Sequence, residues 1–294
     1  MITGKIKGGL GNQLFQYAFL KGLSYRLNEP NHFCLDTAIY KKKNNRSLEI
    51  KDFKIVDNNE KEEDIRKRMA HAFEFGTSAY KIATVIDSIT DFGYFFEKDR
   101  KYIRFEKLCR YNYFDGYWQS EKYFNFIREQ ILADLELKLE INYDQYIIES
   151  HNSCAIGFRR GDYFKNKKSL KIYDVCNELY YENAIRYMND KYSDVIFYVF
   201  SDDVRWVKEN FNFKNNKVKY INENKELSPA AELKIMSKCK HAIIPNSTFS
   251  WWGAWLIEGE EKKIICPKGW YANGMPNDII PESWIQIDKK GNIL

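Results

Sequence analysis

A chain of 294 residues can bury two full-sized cores, and its 44% hydrophobic content places it among folded globular proteins. Its 46 basic residues against 41 acidic ones leave a surplus of only +5, which argues against a protein devoted to nucleic acid. No apolar run approaches the ~20 residues that span a bilayer, and Met1 leads directly into a strand pattern without a signal peptide, so a cytoplasmic protein, at most peripheral to a membrane, is expected.

Ile2, Gly4 and Ile6 alternate as in a strand, and Gly8-Gly9-Leu10-Gly11-Asn12-Gln13 then form a glycine-rich turn. Leu14, Phe15, Ala18, Phe19, Gly22 and Leu23 follow at the spacing of one buried helix face. Such a turn brings backbone N–H groups close to a ligand, and the helix start behind it favours negative charge. It therefore suggests a phosphorylated donor. An ordinary strand-to-helix loop reads the same way, since neither Gly-x-Gly-x-x-Gly nor a following Gly-Lys-Ser/Thr is present. Lys41-Lys42-Lys43 with Arg46 reads as a solvated loop, and the charged run from Glu60 to Met69 as an exposed helix or loop. Phe114 to Phe124 joins aromatics, amides and hydroxyls at what pattern alone makes a capped helix start. Glu121 to Leu139 reads as a helix with Phe124, Ile127, Ile131 and Leu135 near one face.

Beyond about residue 150 short apolar strands alternate with helices. Ser153–Phe158, Val195–Phe200, Val218–Ile221, Ala242–Pro245 and Lys263–Cys266 read as strands. Helices are expected near Leu179–Met188, Val204–Asn210, Pro229–Lys238 and Ser250–Ile257, with Ser228 before Pro229 as a cap. The alternation predicts an α/β fold, a mostly parallel sheet covered by helices, with ligands at the carboxyl ends of its strands.

Chemistry-bearing residues fall just after those strands. Arg159-Arg160-Gly161-Asp162-Tyr163 follows the first, and an arginine fork can grip phosphate oxygens; one arginine is expected to meet a ligand and the other to pair with a carboxylate. A purely structural Arg–Asp pair is the alternative. Ser201-Asp202-Asp203 can accept hydrogen bonds from a base or ribose, or Asp202 can cap the next helix. Asn246-Ser247-Thr248-Phe249-Ser250 offers hydroxyls and free N–H groups at a second helix start, while Trp251, Trp252 and Trp255 read as core. No Asp-x-Asp triplet is present, which argues against a metal-dependent transfer. The six cysteines, Cys34, Cys109, Cys154, Cys176, Cys239 and Cys266, include no C-x-x-C pair; a reducing compartment fits, without zinc.

Taken in order, Gly8 to Tyr17, Gly116 to Phe124, Arg159 to Tyr163, Phe200 to Asp203 and Glu232 to Leu256 resemble the α-1,2-fucosyltransferase family, glycosyltransferase family 11. The fullest likeness runs from Lys238-Cys239-Lys240-His241 through Asn246-Ser247-Thr248-Phe249-Ser250-Trp251-Trp252-Gly253-Ala254-Trp255. The resemblance implies a GT-B fold of two Rossmann-like domains facing a central cleft. Residues 1–148 would be the acceptor-side domain, and 149–294 the GDP-fucose-binding domain, with a C-terminal tail that returns to the first. It further implies inverting, metal-independent transfer of fucose from GDP-β-L-fucose to O2 of a terminal galactose on an oligosaccharide or glycolipid, with no cofactor.

Carried onto this chain, Arg159 would grip the GDP phosphates with Arg160 beside it, and Asp202 or Asp203 would touch the guanine or ribose. Gly9, Gly11, Asn12 and Gln13 would face the β-phosphate and fucose, and Asn246, Ser247, Thr248 and Ser250 would complete the phosphate cradle. Tyr117, Trp118 and Gln119 would lie on the acceptor side. Asp162 is the candidate base, with a loop-shaping bridge to Arg160 as its competing role. In one departure, the family's histidine two residues before the arginine pair is Gly157 here, and none of His32, His71, His151 and His241 is an obvious replacement. A fucosyltransferase of other linkage or acceptor, another nucleotide sugar, and a non-catalytic glycan-binding relative remain alternatives.

Overall fold

A computed structural model describes residues 1–41, 46–58, 93–109, 111–147, 152–160, 171–224 and 226–294. The run Glu60–Met69, His71, His151 and Gly161-Asp162-Tyr163 lie outside the described residues. The chain forms two units, Met1–Glu136 with Pro276–Ile279, and Leu137–Met275 with Ile280–Leu294. The change of unit thus falls after Glu136 rather than after 148. Leu135 is fully buried and the Glu136 carbonyl accepts the Lys54 N–H at 2.8 Å, which anchors the end of the first long segment in its unit. Of the C-terminal tail only Pro276–Ile279 joins the first unit. There Asp278 donates its N–H to the Arg100 carbonyl and accepts that of Tyr102 on its carboxylate.

The first unit is built on β1 (Ile2–Lys5), β2 (Phe33–Asp36), β3 (Tyr94–Phe96) and β4 (Tyr113–Asp115), all parallel, in the order β2-β1-β4-β3. Helix α1 (Leu10–Arg26) is buried on nearly every side from Leu10 to Ser24, not along one face as its periodicity predicts. Two sets of distant partners close its outer side. Gln13 bonds the backbone at 47–50, and Tyr17 and Lys21 both bond Asp134 on α2 (Arg128–Asp134). At Gly22 the helix touches another backbone, where a Cβ would collide with the Tyr123 carbonyl. The aromatic core centres on Phe19, stacked on Trp118 at 4.0 Å and 7°, with Phe114 and Tyr123 edge-on to it.

The expected single helix over 121–139 is broken. Short 3-10 turns at Glu121–Tyr123 and Asn125–Ile127 precede α2, because Ser120 caps the first turn and Phe124, at φ −144° and ψ −3°, leaves helical geometry. Phe124, Ile127, Ile131 and Leu135 are all buried regardless.

The second unit holds β5 (Ser153–Phe158), β6 (Ile196–Ser201), β7 (Lys217–Tyr220), β8 (His241–Ile243), β9 (Ile264–Pro267) and β10 (Ile285–Ile287). All pairs are parallel, in the order β10-β9-β8-β5-β6-β7. The alternating helices are α3 (Glu178–Lys191), α4 (Val204–Asn210), α5 (Pro229–Ser237) and α6 (Thr248–Trp255). Ser228 caps α5 as its sequence predicts, its hydroxyl accepting the Ala231 N–H at 3.2 Å. Trp251, Trp252 and Trp255 are core, the first and last stacked at 6.1 Å and 12°. No described helix is long and apolar enough to cross a membrane, and all six cysteines are free thiols.

Candidate functional site

In a parallel sheet every strand ends on the same edge, so the loops after β5, β6 and β8 meet beyond it. There the second unit has a pocket of about 270 Å³, whose described lining includes Arg159, Arg160, Tyr173, Trp206, Pro245 and Asn246. Asp202, at the end of β6, holds the arginine pair with both carboxylate oxygens. Oδ1 accepts the backbone N–H of Arg160 at 2.9 Å, and Oδ2 pairs with Nη1 of Arg159 at 3.1 Å. The carboxylate therefore fixes the loop and aims Arg159. This differs from the expected contact to guanine or ribose. The Arg160 guanidinium lies 3.6 Å from the centre of the Trp206 ring, a cation–π contact that holds it against the pocket wall.

Asp203, the other expected base or ribose contact, instead caps α4, with Oδ1 accepting the Trp206 N–H at 3.0 Å. Asn246 is 3% exposed, and its Nδ2 donates to the carbonyls of Tyr173 at 3.1 Å and Trp270 at 3.0 Å. It thus pins two loops of the pocket rather than offering its amide protons to a ligand. Ser247, Thr248 and Ser250 sit at the first turn of α6 but not among the described lining; Ser247 makes no side-chain cap. Gly157 is required by close packing. A Cβ there would lie 2.8 Å from Cδ of Pro245 and 2.9 Å from Oγ of Ser250, so the family's histidine could enter only if the 245–250 turn moved. His241 is no substitute: it is buried in β8, stacked on Tyr192 at 4.3 Å, and its Nδ1 accepts the Lys263 N–H. Burial, helped by Lys240 and Lys263, pulls its pKa down to about 4, so it is neutral at pH 7.

The glycine turn of the first unit satisfies its own helix start. The Leu10 N–H donates to Oε2 of Glu49 at 3.0 Å, so a carboxylate of this chain already takes the place foreseen for a phosphate. Gly9 is the N-cap, its carbonyl accepting the N–H groups of Asn12 and Gln13, and the Arg46 guanidinium lies against it. Gly11 is buried within α1. Gln13 is fully buried and saturated: Nε2 donates to the carbonyls of Gly8 and Ser47, and Oε1 accepts the N–H groups of Glu49 and Ile50. The Gln13 amide thus serves as a structural clamp, with no hydrogen-bonding site left for a sugar-nucleotide donor. Asn12, like Gly9, is half-buried, whereas Gly11 and Gln13 are buried.

Beyond β3 and β4, sequence pattern gave no hint of Lys7, Glu97 and Arg100, because their partners lie far off in the chain. Glu97 is 7% exposed, and its carboxylate accepts the N–H groups of Tyr117 at 2.6 Å and Trp118 at 3.2 Å. Burial pushes its pKa up against those two bonds. The bonds hold Trp118 at φ +55°, a left-handed conformation that costs a tryptophan about 1–3 kcal/mol. The turn sends Trp118 into the core, 1% exposed, so it has no acceptor-side surface, whereas Tyr117 stays half-buried. The Tyr117 ring has Lys7 Nζ 4.8 Å and Arg100 Cζ 4.4 Å from its centre. Burial raises the Asp115 carboxyl, but Lys5 and Lys7 outweigh it and hold its pKa below the usual range. Gln119 bonds Asn12 and Arg100. Among the described residues no group of three or more His, Cys, Asp or Glu gathers as metal ligands would.

Two parallel-sheet units with an arginine pair beyond a strand end have the α/β, GT-B-like architecture of glycosyltransferases. NodZ α-1,6-fucosyltransferase co-crystallised with GDP aligns at TM-score 0.50 over 100% of this chain and 96% of its own, at 12% identity, a likeness of fold alone. The chain belongs to glycosyl transferase family 11, whose sequence model matches residues 1–288, and it is a glycosyltransferase of this α-1,2-fucosyltransferase-like family. An alpha-1,2-colitosyltransferase of Escherichia coli is 30% identical, covering 98% of this chain and 99% of that protein. The O-antigen biosynthesis glycosyltransferase WbnK of Escherichia coli is also 30% identical, covering 96% and 99%. Galactoside alpha-(1,2)-fucosyltransferase 2 of Bos taurus is 29% identical over 49% of this chain and 45% of its own length.

Proposed function

We propose that this glycosyltransferase moves L-fucose from GDP-β-L-fucose to O2 of a terminal galactose in an oligosaccharide or glycolipid, with inversion and without a metal. One arrangement carries the reading: Arg159 stands at a pocket edge, already aimed by Asp202 at 3.1 Å. As the bond from fucose to phosphate breaks, charge builds on the departing GDP. A guanidinium held in place beforehand meets that charge without reorganising. Attack from the face opposite the diphosphate turns a β-linked donor into an α-linked product. The acceptor hydroxyl must lose its proton, and Asp162 is the proposed base; an active Asp162→Asn variant would remove it from that role.

Colitose, the 3-deoxy form of fucose, is the second reading, because the colitosyltransferase of Escherichia coli matches 98% of the chain. Rates with GDP-fucose and GDP-colitose on galactosides, with the linkage read by NMR, decide between them. In either case folded Arg159→Ala should lose at least about a hundredfold in turnover, roughly 3–4 kcal/mol, by analogy with loss of one preorganised donor. Near-normal turnover in that variant would refute the assignment.

A further inference from the structure

We propose that Arg100 sets the polarity of an amide relay through Gln119, so that Asn12 presents an N–H donor to an oxygen of the substrate. The argument rests on donor and acceptor chemistry. A guanidinium has only donors, so the group facing it must be an oxygen. Arg100 Nη1 donates to Oε1 of Gln119 at 2.9 Å, which turns Nε2 of Gln119 toward Asn12, where it donates to Oδ1 at 2.8 Å. With its oxygen engaged, Asn12 keeps Nδ2 as its donor, on the Gly8 side of the turn, and among the described residues no protein group accepts from it.

The relay runs from a buried amide to a half-buried one. Gln119 is 5% exposed, while Asn12 is half-buried on the first turn of α1. Arg100 is held on two sides, its carbonyl accepting the Asp278 N–H at 3.1 Å and its guanidinium lying over Tyr117. A surface arginine merely filling space would not need this support. An isolated amide can flip; this one cannot do so without leaving a cation facing an NH2 group. Arg100 is therefore a positioning residue, and the chemistry it enforces is donation to a phosphoryl or hydroxyl oxygen. The substrate half of the inference rests on the glycosyl-transfer reading above.

Gln119→Glu tests it at constant shape. A carboxylate accepts from both Arg100 and Asn12, so Asn12 turns its carbonyl outward, and kcat/KM should fall about a hundredfold. Asn12→Asp should fall as far. Arg100→Met should fall only about two- to tenfold, since the freed amides still adopt the productive polarity part of the time. Protonating the introduced carboxyl restores an O–H donor toward Asn12. In Arg100→Met/Gln119→Glu, activity relative to native enzyme should therefore rise as pH falls through that carboxyl's pKa. Arg100→Met as the worst variant, or no recovery in acid, overturns the proposal. A rise confined to the sugar-nucleotide KM puts the oxygen on the donor, and one confined to the glycan KM puts it on the acceptor. Side-chain amide NMR of ligand-free protein reads the relay without any substrate. The Asn12 Nδ2 protons should shift on Gln119→Glu, and an unchanged signal refutes the relay. Native enzyme inactive with both GDP-fucose and GDP-colitose would instead sink the functional reading while this spectrum still judges the relay.

Discussion

The glycine turn after β1 and the arginine pair after β5 occupy equivalent places, each beyond the carboxyl end of an interior strand of a parallel sheet. In the first unit the helix start is filled by the chain itself: Glu49 supplies the carboxylate at Leu10, and Gln13 uses every hydrogen-bonding site of its amide on backbone. In the second, Asp202 holds the arginines from behind and leaves them lining a pocket. Glycines and a helix N-terminus thus define a possible anion site, and what distant segments place there decides whether it is open. On the function proposed above, that contrast would assign the diphosphate to the second unit, while the first offers a preformed polar surface.

The contrast can be broken or sharpened by substitution. The largest effect is expected in the closed interior of the first unit, where Lys21 is 3% exposed and ion-paired with Asp134. Asp134→Ala strands that cation and should cost about 3–5 kcal/mol in chemical denaturation. A cost below ~1 kcal/mol would mean the unit is less closed than described.

Acid should next weaken the second unit through His241. Its folded pKa is about 4 against an ordinary 6.5, so between those values the unfolded chain binds a proton that the folded one refuses. Stability is therefore complete above pH 6.5 and falls as pH drops toward 4, by roughly 1–3 kcal/mol. His241→Asn, compared with native protein across that window, should lack this part of the slope.

Two single-atom changes then give opposite signatures. Asp202→Asn keeps an acceptor for the Arg160 N–H but removes the charge that aims Arg159, so kcat/KM should drop about tenfold, or 1.4 kcal/mol, with little change in melting temperature. Glu49→Gln should lose about 0.3–1 kcal/mol of stability with turnover within about twofold. If the two profiles were exchanged, the roles of the two strand ends would be exchanged as well.

How far the sequence reveals this depends on how local each signal is. The second unit was legible because its strands are short apolar runs divided by capped helices, and because parallel strands place loop chemistry on one edge. One arginine does pair with a carboxylate, but it is Arg159, the one expected to meet the ligand, held by Asp202 just past the neighbouring strand, so the foreseen division between the two arginines is not seen. In the first unit β3 and β4 have three residues each, too short for a periodic signal. The saturation of Gln13 depends on residues 34 to 37 positions away, and no local pattern encodes it. Trp118 and Tyr117 are adjacent with opposite fates, fixed by a carboxylate 20 and 21 positions earlier. The α/β, GT-B-like class emerged from the blocks together; the use of each polar group required the long-range contacts.

The most direct measurement is a crystal structure with GDP bound. Its diphosphate should lie within hydrogen-bonding distance of the Arg159 guanidinium, with Glu49 still seated on the Leu10 amide. A diphosphate resting on the Gly8–Gly11 turn, with Glu49 displaced and the arginine pair untouched, would contradict the division of labour between the two strand ends.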